Sequence, residues 1–307
     1  MITYLKCNRG YSEIGEWSPG CWVNVQNPSL KEQETLKTEF GLPEDFINDI
    51  SDIDERPRVE RNEGWICVIM RIPIECQEPG IPFTTIPLGV IINGDYVITI
   101  CFYANRLITD FIEHSQRRNR IIPSAPDFIL RLLNSSAYWY LRYLKELRIM
   151  VSDIEGDLQQ SIRNEELLKL MELQKSFVIF VTSISSNNIL LERINRLYGP
   201  ELDRELFEDV SIEYKQANST VQIATQMLDR TLDTYASVIS NNVNAIMKRM
   251  TSISLILMIP TLIASLYGMN VDVGISMQNR WAFACIVGTG FLLSAISCIW
   301  LRKIKWL

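Results

Sequence analysis

The chain has 307 residues, 47% of them apolar and 21% charged, with a net charge of −6. These averages exclude a disordered chain and a collagen-like one. The acid excess argues against a nucleic-acid binder, whose footprint would be a basic face. The charge is unevenly spread. Six basic residues and one acid, Asp272, lie from Lys248 onward, so the first 247 residues carry −11 and the last 60 carry +5. A mean hydropathy of +0.06 is therefore the average of an acidic, polar body and an apolar tail. The seven cysteines contain no C-x-x-C pair, which argues against a thiolate zinc site, a disulfide framework and an oxidising compartment. The lone histidine, His114, reads as a polar residue on a Glu- and Arg-rich helix, and its solitude argues against triad or zinc-hydrolase chemistry.

Residues 1–105 read as an α/β domain. Strand-like runs are Ile2–Cys7, Cys21–Val25, Trp65–Ile72, Pro87–Ile92 and Tyr96–Phe102, and Asn93-Gly94 marks a hairpin. Ser29–Phe40 reads as a helix with Ser29 as N-cap and Gly41 as its stop, and Pro43–Asp54 as a second, acid-rich helix. Met1 opens a polar segment with no apolar h-region, so no signal peptide is expected and the acidic body is expected in the cytoplasm. Residues 106–200 read as helical, with punctuation at Pro123, Pro126, Gly156 and Gly199-Pro200 and a hairpin turn near 156–164.

From Glu201 to Ile259 there is neither glycine nor proline. Apolar positions recur at helical spacing through Val221, Ala224, Leu228, Leu232, Tyr235, Val238 and Val243. One helix is expected, with 201–249 as a stalk that continues into a span. A helix roughly 90 Å long cannot be buried in a monomer of this size, so identical copies are expected around it. Gln222, Thr225, Asn241 and Asn244 interrupt the heptad of a plain coiled coil.

Residues 250–271 and 281–301 contain no charged side chain. The first of these, roughly 33 Å as a helix, matches a hydrocarbon core of about 30 Å. A linker, 272–280, makes them an antiparallel membrane hairpin. Lys248 and Arg249 precede the first span, and Arg302, Lys303 and Lys305 in the tail 302–307 follow the second. The positive-inside rule then places both termini in the cytoplasm, with Trp281, Trp300 and Trp306 as interfacial anchors. The small and hydroxyl residues of both spans suit close helix packing, while polar groups on the first would also suit a pore lining.

At the end of the first span stands Tyr267-Gly268-Met269-Asn270. In that position the string resembles the Gly-Met-Asn signature of the CorA family of divalent-cation channels. Asp49-Ile50 with Glu55-Arg56-Pro57-Arg58-Val59-Glu60, the strand Trp22-Val23-Asn24-Val25, and the tail Arg302-Lys303-Ile304-Lys305-Trp306-Leu307 are similar to family segments. The resemblance covers essentially the whole chain. It implies an N-terminal α/β cytoplasmic domain, a long-helix stalk and two C-terminal transmembrane helices, assembled as a pentameric funnel in a cell membrane.

Five first spans would line the pore, with Tyr267, Gly268, Met269 and Asn270 at its mouth. A ring of Asn270 amides and backbone carbonyls would bind the water shell of Mg²⁺ without stripping it. Thr261, Met258, Met250, Met247 and Asn244 match pore-facing positions, the methionines forming an apolar constriction. Pro260 stands one position later than the family's proline. Asp49 and Asp209 match acids that hold regulatory Mg²⁺ between neighbouring subunits, with Asp52, Asp54 and Asp233 as further candidates. The linker has only Asp272 as an acid and lacks the Met-Pro-Glu-Leu segment of many members.

The expectation is Mg²⁺ influx, with Co²⁺ and Ni²⁺ as further cargo and Mg²⁺ as regulator, and no organic cofactor. The expected partners are identical subunits, membrane lipid and divalent cations, with no nucleic acid. The alternatives are a Zn²⁺ transporter of the ZntB-like branch and a non-conducting membrane scaffold or sensor. No phosphate-binding glycine loop or nucleophile–base arrangement indicates an enzyme.

Overall fold

The computed structural model describes every residue except 77–79, 95, 119–120, 123, 161–163, 270–279 and 307. It divides into two compact units, Met1–Arg230 and Thr231–Leu307. The strands of the first unit are β1 (Ile2–Cys7), β2 (Tyr11–Ile14), β3 (Trp22–Gln26), β4 (Arg58–Asn62), β5 (Trp65–Glu75), β6 (Phe83–Asn93) and β7 (Tyr96–Cys101). They form one sheet in the order β2-β1-β3-β7-β6-β5-β4. All neighbours are antiparallel except β3 and β7.

Helices α1 (Leu30–Thr38) and α2 (Glu44–Ser51) connect β3 to β4. Their Leu36, Phe46, Ile47 and Ile50 pack on Val23, Val25, Cys67, Ile69, Ile91, Ile98 and Ile100 in one core cluster. Gly89 of β6 gives Ile50 its room there, because a Cβ at that position would overlap Ile50 Cδ1. The Ser29 cap is a full capping box. Ser29 Oγ accepts from the Glu32 N–H, and Glu32 accepts from the Ser29 N–H at 2.8 Å. The Ser29 N–H, and then the terminal ammonium, hold the Glu32 carboxyl down at about 2.

The opposite face of β5 and β6 carries the buried residues Val68, Met70, Ile72, Ile86, Leu88 and Val90. Helices α4 (Ala125–Gln160) and α5 (Asn164–Tyr198) lie on these strands. Cover on both faces explains why β5 and β6 read as continuous apolar runs. Buried Trp22 donates its indole N–H to Thr99 Oγ1 at 2.8 Å, and Thr99 donates to Asn24 Oδ1 at 3.0 Å. The Trp-Val-Asn-Val strand thereby closes the one parallel joint of the sheet.

Several boundaries differ from expectation. β2 and β4 were not expected as strands. Both lie at sheet edges and are short and polar, so neither shows an apolar run. Pro126 is not a break but the second residue of α4, where its missing N–H leaves no helical bond unmade. Gly156 also lies inside α4. Between 106 and 123 runs a separate helix, α3 (Arg106–Arg117), capped by Asn105, which accepts from the Ile108 N–H. After a 3₁₀ turn at Gly199–Glu201, α6 runs unbroken from Arg204 to Tyr267, 64 residues or roughly 96 Å. The second unit holds the later part of α6 and α7 (Arg280–Lys303).

Candidate functional site

Within the second unit, α6 and α7 pair along one side of each helix. Ser252 is fully buried and donates to the Lys248 carbonyl at 2.8 Å. Gly290 of α7 lies against Pro260 and Ile263, where a methyl would be 3.7 Å from Ile263 Cδ1. Pro260 has no N–H to offer the carbonyl four residues earlier, that of Ile256. Ser294 of α7 fills the gap, donating its hydroxyl to the Ile256 carbonyl at 3.3 Å. A proline deep in an apolar helix is thus tolerated because the neighbouring helix satisfies the carbonyl it frees.

This pairing fixes which side of α6 is left open. At about 100° per residue, Ser252, Ile256, Ile259, Pro260, Ile263 and Tyr267, all buried or half-buried, fall within an arc of about 100°. Asn244, Met247, Met250, Met258 and Thr261 fall within an arc of about 120° on the opposite side. Met247, Met250 and Met258 are 57%, 61% and 62% exposed, and Asn244 and Thr261 are exposed as well. The structure brings these five expected pore residues onto one face. Thr261 spends its hydroxyl on the Leu257 carbonyl at 2.9 Å, presenting its methyl and a spare lone pair outward.

At the far end, Gly268 closes the helix by donating its N–H to the Ala264 carbonyl at 2.9 Å, and Met269 is exposed. Tyr267 sits on the α7 side rather than on the open arc. Asn270 and the expected linker up to 279 lie outside the described residues.

The most apolar windows of α6 and α7 are only 6% and 11% buried within the chain. Phe283, Phe291, Leu257 and Leu262 are each at least 60% exposed. A core hairpin of a water-soluble protein would be buried. These two helices are instead long and apolar enough to cross a membrane. The tail turns back at Lys305, which has φ +59°, and Trp306 donates its N–H to the Leu301 carbonyl.

In the first unit, Asp49 of α2 bonds Arg58 of β4 at 2.6 Å. The same guanidinium bonds Glu55 and, at 3.0 Å, Glu60. Partial burial raises the Asp49 carboxyl above its ordinary range, against the pull of Arg58. Glu55 and Glu60 were not expected at this cluster, although both stand in the quoted Glu-Arg-Pro-Arg-Val-Glu segment. Asp52 and Asp54 are exposed beside it, and Asp52 Oδ1 accepts from the Asp54 N–H at 3.0 Å. Asp209 is exposed on α6 and is not among the partners of Asp49; Asp233 is exposed in the second unit. Among the described residues, no three or more His, Cys, Asp or Glu side chains of one chain are grouped to hold a metal ion.

Residues 18–303 match the family model described as CorA-like Mg²⁺ transporter protein. A cobalt/magnesium transport protein CorA of Methanocaldococcus jannaschii is 25% identical over 294 residues, covering 93% of this chain and 91% of the relative. A cobalt/magnesium transport protein CorA of Thermotoga maritima is 22% identical, covering 93% and 83%. The complete structure of the CorA magnesium transporter from Methanocaldococcus jannaschii superposes with a TM-score of 0.86 at 22% identity, covering 100% of this chain and 99% of that one.

Proposed function

Because the chain belongs to the CorA-like Mg²⁺ transporter family, we propose that it is a divalent-cation channel admitting Mg²⁺, with Co²⁺ and Ni²⁺ as further cargo, across the cell membrane. The observation that carries this reading is the division of α6 into two faces. One side is taken by α7, and the opposite side carries Met247, Met250, Met258 and Thr261, exposed among the described residues, with Asn244 at its edge beside Lys305 and Trp306 of the tail. Five copies arranged about a common axis would turn that face inward and leave α7 on the lipid side. The N-terminal unit and both termini lie in the cytoplasm in this reading, which the basic flanks of the spans support.

The chemistry follows from the face. Mg²⁺ gives up its water reluctantly, so a neutral mouth of Asn270 amides and main-chain carbonyls binds the hydrated ion without trapping it. Methionine rings below it form an apolar constriction that closes by dewetting. The inside-negative potential supplies about 2.3 kcal/mol per charge per 100 mV, so no chemical energy source is needed.

Regulation would lie at Asp49. One chain offers an incomplete ligand set there, and Arg58 already holds the carboxylate. Asp209 of a neighbouring copy supplies the missing carboxylate, and abundant internal Mg²⁺ bridges the two and favours the closed state.

The test is flux into liposomes holding the purified protein, read with Mg²⁺- and Zn²⁺-sensitive dyes. Mg²⁺ entry is expected. Entry of Zn²⁺ without Mg²⁺ replaces this reading with that of a zinc transporter, and entry of neither ion removes the transport reading.

A further inference from the structure

The first unit also has a cleft between α3 and α4. It has a volume of about 450 Å³ and is walled by Phe111, His114, Ser115, Arg118, Arg131 and Tyr138. That is the size range of small-molecule sites, larger than an inorganic ion needs.

Two of its polar groups have no hydrogen-bond partner among the described residues. Ser115 is 4% exposed, yet its hydroxyl has no hydrogen-bond partner among the described residues. The Nε of Arg131 is likewise buried without an acceptor among the described residues. Buried donors are almost always satisfied, because stripping them of water without replacement is costly. Both donors belong to side chains that line the cleft, so an acceptor is missing beside it.

The charge identifies that acceptor. Arg118 stands exposed at the cleft and has no ion pair among the described residues, whereas Arg117 is engaged by Glu113 at 2.7 Å. Among the described residues Asp110 is the single carboxylate of the lining. A local excess of guanidinium in a body carrying −11 selects an anion against the general field of the protein. Two guanidinium groups and a hydroxyl suit a phosphate, whose several oxygens accept from forked donors. The rings of Phe111 and Tyr138 offer an apolar wall to whatever bears it.

We infer that this cleft binds a phosphorylated small molecule, its phosphate held by Arg118, Arg131 and Ser115. The inference does not rest on the transport reading, and its test is independent of ion flux.

The experiment is calorimetric titration of the purified full-length protein in detergent, in magnesium-free buffer, with AMP, inorganic phosphate and adenosine as probes. AMP is expected to bind once per chain, to be displaced by inorganic phosphate, and to weaken as salt is raised. Adenosine is expected not to bind. Arg118→Gln and Arg131→Gln should each weaken AMP at least about tenfold, the loss of one charge-assisted bond. Arg142→Gln, on α4 outside the cleft, should leave the affinity unchanged. Arg118 is exposed, so its variant keeps the test decisive even where Arg131→Gln does not fold. The inference is overturned if neither phosphate-bearing probe binds, if adenosine binds as well as AMP, or if Arg118→Gln leaves AMP binding intact.

Discussion

The hydroxyl of Ser294 donates to the main-chain carbonyl of Ile256, the carbonyl that Pro260 leaves without its helical partner. This bond ties the second apolar helix to the proline-interrupted turn of the first. Ser294→Ala is expected to destabilise the second unit by about 0.5–1.5 kcal/mol, the usual worth of a polar contact between membrane helices. Restoring the helical N–H with Pro260→Ala should remove most of that cost. A double-mutant cycle on the full-length protein in detergent, read by thermal unfolding, checks this. Equal losses with and without Pro260 would mean that the bond does not compensate the proline.

The two faces of α6 predict opposite behaviour toward water-borne reagents. In a chain with its native cysteines replaced, Met258→Cys and Thr261→Cys should react with a charged thiol reagent, and reaction should block ion flux. Ile256→Cys and Ile263→Cys, on the α7 side, should stay unreactive. Labelling rates in reconstituted vesicles measure the contrast. Equal rates on both faces would remove the pore assignment.

The regulatory reading predicts loss of feedback. Asp209→Ala and Asp49→Ala should both conduct at internal Mg²⁺ concentrations that shut the parent channel. Metal binding needs the ionised carboxylate, and the Asp49 carboxyl is raised above its ordinary range. Mild acid should therefore relieve Mg²⁺ inhibition earlier than an ordinary aspartate would allow. Flux titrated against internal Mg²⁺ at several pH values tests both statements. Unchanged inhibition in Asp209→Ala would argue that the regulatory ion sits elsewhere.

The capping box of α1 gives a pH-dependent stability term. The folded Glu32 carboxyl titrates at about 2, below its unfolded value near 4.3, so its contribution is complete above about pH 4.5. It is lost as the pH falls through about 2. The stability gap between the parent and Glu32→Gln should accordingly be widest near neutrality and close across that window. Ser29→Ala should cost about 1 kcal/mol at pH 7. Unfolding midpoints of the full-length protein across the pH range provide the check.

Much of this architecture was legible because it depends on local pattern. The charge-free runs, the long stretch without glycine or proline, the Ser29 cap and the Asn93-Gly94 hairpin each act over a few residues. The edge strands β2 and β4 escaped notice because half-exposed strands need no apolar run. The polar interior was also hidden. Asn187 of α5 is fully buried and answers the main chain of Arg71, 116 positions away. It accepts from the Arg71 N–H at 2.9 Å and donates to the Arg71 carbonyl at 2.7 Å. It thus takes the place of a neighbouring strand where β4 no longer pairs with β5. Nothing in the sequence around either residue announces that pairing. The same holds for the α3–α4 cleft, whose Ser115 and Arg131 lie on different helices and meet only in the fold.

The division of α6 into a paired and an open side has a genetic consequence. Each side is defined only by counting along one unbroken helix, so substitution and insertion have very different effects. A conservative replacement at one position leaves the count intact. A single residue inserted between Met250 and Met258 turns everything beyond it by about 100°. Pro260, with its dependent carbonyl at Ile256, would then swing away from Ser294, and the methionines would no longer share a side. An insertion of four residues comes back to within about 40° and would be far better tolerated. Length polymorphism in this segment should therefore occur in steps of a whole helical turn.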